Sequence, residues 1–257
     1  MSGPNALARG AAAAMVAAAL ALGACGGNGD DGGAAETTAS VALPTGSQPA
    51  NLDPAELTTE ITNPRWPMQP GSRWVYREED PEGAKRVVVS VSGETKRIAD
   101  GIEALVVRDV VTQNGQPVEV TDDWYAQDSE QNVWYLGEQT AEYEDGNVVS
   151  REGSFEAGVD GAEAGIVMPG DPQPGLTYRQ EYLEGEAEDY ATVLGTATRV
   201  SVPYGKLDDV LQTEDVNPLG DPVQVENKFY AEGIGPVLTL DLTGSGREEL
   251  VSYTPGG

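Results

Sequence analysis

The side chains able to do chemistry in this chain are carboxylates, aromatic rings and one thiol. There is no histidine and a single cysteine, Cys25, among 257 residues. Ser-His-Asp and Cys-His catalysis, histidine-ligated metals and an intrachain disulfide are therefore excluded. A Ser-x-x-Lys nucleophile is absent, since the residues three before the lysines are Glu82, Gly93, Pro203 and Val225. No phosphate loop of the form G-x-x-x-x-G-K-[ST] occurs. What remains is carboxylate chemistry. Asp122-Asp123 precede Trp124, and Glu186, Glu188 and Asp189 gather beside Tyr190. Either group could line a sugar or cation site, or be a solvated strand face. The expected catalytic set is empty. The candidate lining residues are Trp124, Tyr125, Trp134 and Met168, with Asp123 and Glu188 as polar contacts. Rings offer flat faces to sugars or lipid tails, although core packing accounts for most aromatics in β proteins.

The formal charge is −28, from 15 basic and 43 acidic residues. Nucleic-acid binding needs a basic face, so no nucleic-acid partner is expected. No cofactor is expected. Calcium is the metal that such oxygen ligands could hold. Asp128-Ser129-Glu130-Gln131-Asn132 alternates oxygen donors but lacks the turn glycine, and Gln139 stands where the twelfth-position Glu would be. It reads as a hairpin turn.

The elements that must position these groups begin after an address. An apolar run from Ala11 to Ala24 is too short to cross a bilayer as a helix and fits a signal-peptide core over 1–24. It ends in Leu22-Gly23-Ala24-Cys25-Gly26, which resembles the lipobox of bacterial lipoproteins, with Arg9 as the one preceding base. That resemblance implies cleavage before Cys25, a diacylglycerol thioether on its sulfur and acylation of the new amine. The membrane is then a partner through the acyl anchor, on the extracytoplasmic face of the cell membrane. Low Lys with high Ala, Gly, Val and Asp points to a GC-rich Gram-positive source. Residues 25–50 read as the lipidated Cys and a disordered tether, and the body as 51–257. The G-x-G-x-x-G match at Gly27–Gly32 has no strand before it and no helix after it, so the dinucleotide reading fails.

Beyond Arg73 the chain alternates apolar and polar residues in short runs between turn signals such as Asn114-Gly115 and Asp145-Gly146. This is an all-β, antiparallel pattern of meanders that closes as a barrel or folds as a sandwich. Twelve strands are expected between 73 and 254, two of them at 132–139 and 142–150. Several are apolar on both faces and need cover on each side.

Four landmarks recur in order. Pro70-Gly71 returns at Pro174-Gly175, Gly101 at Gly205, Asp109 at Asp215 and Trp124-Tyr125-Ala126 at Phe229-Tyr230-Ala231, always 104 to 106 residues on. Duplicated halves of about 70–150 and 174–254 are expected. Between them, the Gly/Pro-rich segment 153–175 also carries Ile166, Val167 and Met168. It is either a lid or rim of a cleft, or a crossover wrapped on the sheet. A ligand site is expected where the halves meet, walled by this segment.

Three motifs resemble those of a family of uncharacterised bacterial lipoproteins and secreted β-proteins. They are Trp66-Pro67-Met68-Gln69-Pro70-Gly71-Ser72-Arg73-Trp74-Val75-Tyr76, then Trp124-Tyr125-Ala126-Gln127-Asp128 with Asn132-Val133-Trp134-Tyr135, and finally Phe229-Tyr230-Ala231 with Gly233-Ile234-Gly235. The sequence departs from the family pattern at Gln131 and Pro236. The resemblance covers about residues 63–254 and implies a β fold and an envelope location, actinobacterial in origin, with no reaction type. Two functions of different class follow. One is a lipid-anchored, non-enzymatic module binding a glycan or lipid. The other is a surface hydrolase using paired carboxylates on a glycan.

Overall fold

Asn114-Gly115 and Asp145-Gly146 each turn the chain with positive φ at both residues (52° and 80°; 51° and 77°). That conformation matches the right-handed twist of paired strands and makes two-residue hairpins. Such turns let one strand follow another as its antiparallel neighbour along most of the chain. The computed structural model describes residues 43–257. The signal segment, Cys25 and the tether up to residue 42 lie outside the described residues.

The strands are β1 (Arg73–Asp80), β2 (Gly83–Arg97), β3 (Glu103–Gln113), β4 (Gln116–Gln127), β5 (Val133–Glu144), β6 (Asn147–Ser150), β7 (Phe155–Glu156) and β8 (Glu163–Met168). They continue as β9 (Thr177–Arg179), β10 (Glu181–Tyr182), β11 (Tyr190–Val202), β12 (Gly205–Asn217), β13 (Gln224–Ala231), β14 (Gly235–Asp241) and β15 (Arg247–Thr254). One sheet contains them all, in the order β10-β8-β5-β4-β3-β2-β1-β15-β14-β13-β12-β11-β9, with β6 and β7 also on β5. Its two ends are neighbours in sequence, because Gln180 alone separates β9 from β10. That segment pairs β11 on one side and β8 on the other. The antiparallel sheet thus nearly closes into a barrel, which removes the free edges an open sheet would present.

Both halves use the same local devices. Gly71 and Gly175 have positive φ (89° and 86°) and donate to Val91 O and Val193 O, each at 2.8 Å. Val91 N and Val193 N return bonds to Ser72 O and Leu176 O at 3.1 and 2.9 Å. A register shift falls between Trp124 and Tyr125 against β5, and between Phe229 and Tyr230 against β14. Tyr125 stands opposite Leu105, and Tyr230 opposite Leu211. β15 joins the halves, pairing β14 on one side and β1 on the other.

Three expectations are corrected. Residues 132–139 and 142–150 are not two strands: β5 runs unbroken to Glu144, because the turn signal that ends it is Asp145-Gly146. Segment 153–175 is neither a free lid nor a simple crossover, since β7 and β8 from within it both pair with β5. Ile166 and Met168 on β8 are fully buried. The tether does not extend to residue 50. Residues 43–50 lie on the body because the buried Arg179 guanidinium needs acceptors there. Its Nη1 donates to Gly46 O and Gln48 O at 2.7 and 2.6 Å, and Arg179 N donates to Pro44 O at 2.8 Å.

Candidate functional site

Register fixes which side chains look inward. On β1 the inward residues run Trp74, Tyr76, Glu78; on β4 they run Tyr125, Asp123, Glu119; on β13, Tyr230, Lys228, Glu226. β4 and β13 each lie three steps from β1 in the sheet order and run opposite to it. The start of β1 therefore sits level with the ends of β4 and β13. All three strands grade from aromatic to charged toward the same end of the barrel.

The aromatic end is closed by residues 57–70. Thr58 and Gln127 exchange backbone bonds at 2.9 and 2.8 Å, and Gln127 Oε1 accepts from Thr62 N and Asn63 N, both at 2.8 Å. Asn63 Nδ2 donates to Gln131 O and Pro169 O at 2.9 and 3.1 Å. On the other half, Arg65 Nη1 donates to Tyr230 O at 3.1 Å and Gly233 N to Pro64 O at 2.7 Å. The segment is thus fastened to both halves. It drops Ile61 and Met68 into the core and lays Trp66 against Tyr125 and Tyr230, with ring centroids 5.8 and 6.0 Å apart.

Below this cover is a cavity of about 460 Å³, within the range that holds small molecules. Both halves wall it, and Gly153 and Val167 of the 153–175 segment contribute. Its acids are Asp109, Asp123, Glu138, Glu181, Glu186, Asp189 and Glu248 against a single cation, Lys228; of these, Glu186 and Asp189 belong to the acidic group beside Tyr190. Two further cavities, of about 350 and 560 Å³, share Glu248 with it and reach the charged end through Glu78, Glu119, Glu142 and Glu226.

Enclosure disfavours the charged form of each acid. Burial pushes Glu138 up to about 7, with the Tyr135 hydrogen bond pulling partly the other way. Burial and the nearby Glu78 push Glu248 up to about 7. Burial raises Asp189 to about 6, against the pull of Lys228. Asp109 and Asp123 stand well above the ordinary aspartate range, first through burial and then through Glu248 and Glu138 respectively. Burial lowers Lys228, but Asp215 and Glu226, at 3.2 and 3.5 Å, more than offset it and hold the ammonium charged.

Tyr135 shows what these shifts mean. Its hydroxyl lies 2.8 Å from Asp123 Oδ1 and 2.6 Å from Glu138 Oε2. A phenol has one proton to donate. The second contact requires a protonated carboxyl donating to the phenol oxygen, so the trio holds an extra proton. Asp123 and Glu138 are direct cross-strand partners, so the pair lies on one wall.

Of the six expected lining residues, Tyr125 and Asp123 face the cavity. Trp124 and Trp134, each next to an inward tyrosine, point the other way by strand alternation. Trp124 is buried beneath Lys96, whose Nζ is 3.0 Å from the ring centroid and 2.6 Å from Glu156 Oε2. Trp134 is fully buried and its indole N–H donates to Asp128 Oδ2 at 2.9 Å. Met168 is fully buried beside Val133. Glu188 accepts from Gly185 N at 2.8 Å and lines a smaller cleft with Arg179 and Tyr182. The Asp128 loop is a turn in which Asp128 Oδ1 accepts from Glu130 N and Asn132 N, both at 2.9 Å.

The sequence reading passed over Trp66, Trp74, Tyr76, Asp109, Glu138 and Lys228. The repeat carried a signal for one of them. If Tyr230 matches Tyr125, then Lys228, two residues before, must share the face of Asp123.

No protein-family model matches the chain, and no curated protein matches it in sequence. Among solved structures it is similar to a protein inferred to be a lipoprotein from Parabacteroides distasonis ATCC 8503, at 12% identity and a TM-score of 0.43, covering 75% of this chain and 99% of that one. It is also similar to a protein inferred to be exported, with a YmcC-like fold, from Bacteroides fragilis NCTC 9343. There the identity is 13% and the TM-score 0.44, over 76% of this chain and 100% of that one.

Proposed function

We propose that this is an extracytoplasmic protein held on the cell membrane through acylated Cys25, and that its barrel is a non-enzymatic module that takes a small molecule into its cavity. The location rests on the Leu22-Gly23-Ala24-Cys25 motif at the end of the apolar run. Acyl chains on the sulfur and the amine together anchor stably where one chain would not. Cys25→Ser is expected to shift the protein from the membrane pellet to the soluble fraction on expression in a Gram-positive host. A chain still in the pellet overturns the anchor.

The binding role rests on one observation, the cavity of about 460 Å³ walled by both halves. Screening against cell-wall glycan fragments and envelope lipids by thermal shift is expected to give a hit that Val107→Trp abolishes by filling the cavity. A hit that survives this substitution lies on the outer surface and removes the cavity from the reading.

A paired-carboxylate hydrolase is the second reading, supported by the proton shared among Asp123, Tyr135 and Glu138. A glycosidase sets its two carboxyls on opposite sides of the scissile bond, whereas these two lie side by side on neighbouring strands. The binding role fits this placement better. Release of sugar from a glycan hit, lost in Glu138→Gln, would reverse that order.

A further inference from the structure

The cavity holds many acids and one base. Seven carboxyls line it, and its one ammonium, on Lys228, is already engaged by Asp215 and Glu226. Two of the seven have an oxygen shielded from solvent with no hydrogen-bond partner, Asp109 Oδ1 and Asp189 Oδ1. Buried acceptors of this kind are costly unless something donates to them. Among the described residues no three acids converge closely enough to cage a metal ion. The carboxyls are spread around the wall, which leaves room for an organic cation rather than a caged metal ion. The axial grading adds the second half of the ligand. Trp66, Tyr125 and Tyr230 form a ring cluster under the cover, while the mouth carries Glu78, Glu119, Glu142 and Glu226, in excess over Lys85 and Arg247. An acidic mouth draws in cations, and aromatic faces receive both apolar groups and ammonium charge.

We propose that the cavity binds a small amphipathic organic amine, with its ammonium among Asp109, Glu138 and Glu248 and its apolar part against Trp66, Tyr125 and Tyr230. The proposal rests on the reading of the cavity as a binding site and names the class of its ligand. The ammonium brings to the acidic wall a donor and a positive charge that can replace the protons these acids otherwise hold, and its apolar end meets the rings that the 57–70 segment presents.

The test uses the full chain carrying Cys25→Ser, so that no acyl chain competes, and titrates it by calorimetry at pH 8 with octylammonium, octanol and octanoate. Octylammonium is expected to bind at one site, at least ~10-fold tighter than either matched probe. Asp109→Asn and Glu248→Gln are each expected to weaken it at least ~5-fold. Glu232→Gln, on the exposed surface, is expected to leave it unchanged. Circular dichroism identifies any variant that fails to fold, and the other inner variant then carries the test. Equal or tighter binding of octanol or octanoate overturns the amine while keeping the cavity as a site. Octylammonium binding that neither inner substitution weakens places the amine on outer acids and overturns the proposal. No binding of any probe also overturns it. If the glycan and lipid screen then yields a ligand sensitive to Val107→Trp, the cavity reading stands without the amine; if it yields none, both fall.

Discussion

Lowering the pH from 8 to 5 is expected to raise the melting temperature of this protein, by about 5–15 °C. Glu138 and Glu248 have pKa values of about 7 in the folded protein against an ordinary 4.5, and Asp189 about 6 against 3.8. Between the unfolded and folded values the native state holds protons that the unfolded chain releases. Stability from these groups is therefore complete below the unfolded values and is lost as pH rises through 6 to 7. One pKa unit corresponds to ~1.4 kcal/mol, and water in the cavity screens part of it, which leaves about 1–2 kcal/mol per group. The overall charge of −28 acts in the same direction, since acidification reduces self-repulsion. The opposing groups are Asp80, Asp241 and Glu249, whose pKa values are lowered. Their contribution is present above the ordinary carboxylate range and is lost only as pH falls through it. The stability maximum should thus lie near pH 5. Calorimetry from pH 8 down to 4 measures it, and a melting temperature that is flat or falling between 8 and 5 would rule the argument out. Glu138→Gln isolates one contribution: the variant should exceed the wild type at pH 8 and match it at pH 5.

The reversal of the usual acid response arises from residues that sequence reading could place on strands but not around a common space. Strand positions were legible because Val, Tyr and Trp alternate with polar residues and because Asn-Gly and Asp-Gly mark the turns. Gly71 and Gly175 were legible as turn glycines, and both take positive φ. The inner face was half legible. Choosing Trp124 together with Tyr125, and Trp134 ahead of Tyr135, ignored that consecutive strand residues point to opposite sides. Size and ring chemistry favoured the tryptophans; the pleat assigns the cavity to the tyrosines. Asp109 and Glu248 were not legible, because each is one acid among 43 and only closure of the barrel sets them on a common wall. Strands β7 and β8 were hidden by the glycines in and around them, Gly153, Gly158, Gly161, Gly165 and Gly170. Gly165 is required there because a side chain would collide with the Gln180 carbonyl, and Gly137 because one would meet the Phe155 carbonyl at a φ of 133°.

The two halves make a paired prediction at their matching positions, Trp74 and Tyr178. Both are fully buried. Trp74 opens β1, stacks on Tyr253 with centroids 5.0 Å apart, and donates its indole N–H to Ile234 O at 2.7 Å. It therefore ties the first strand of one half to the turn between β13 and β14 in the other. Truncation removes a large buried ring and orphans a buried carbonyl, so Trp74→Ala is expected to destabilise by about 3–5 kcal/mol, and Trp74→Phe by about 1–3 kcal/mol. Tyr178 opens β9 in the equivalent place, opposite Ala191, but its hydroxyl is buried with no hydrogen-bond partner. Burying that group without a bond is unfavourable. Tyr178→Phe keeps the ring and removes the hydroxyl, so it should be neutral or stabilise by up to ~2 kcal/mol. Chemical denaturation of the three variants at pH 5, where the inner acids are protonated, separates this effect from the charge effect. A loss above ~1 kcal/mol in Tyr178→Phe would mean that the hydroxyl is engaged in solution. A loss below ~2 kcal/mol in Trp74→Ala would mean that β15, rather than the indole, carries the join between the halves. The two matching positions thus carry one polar tie and not two, and that asymmetry is what the pair of measurements reads.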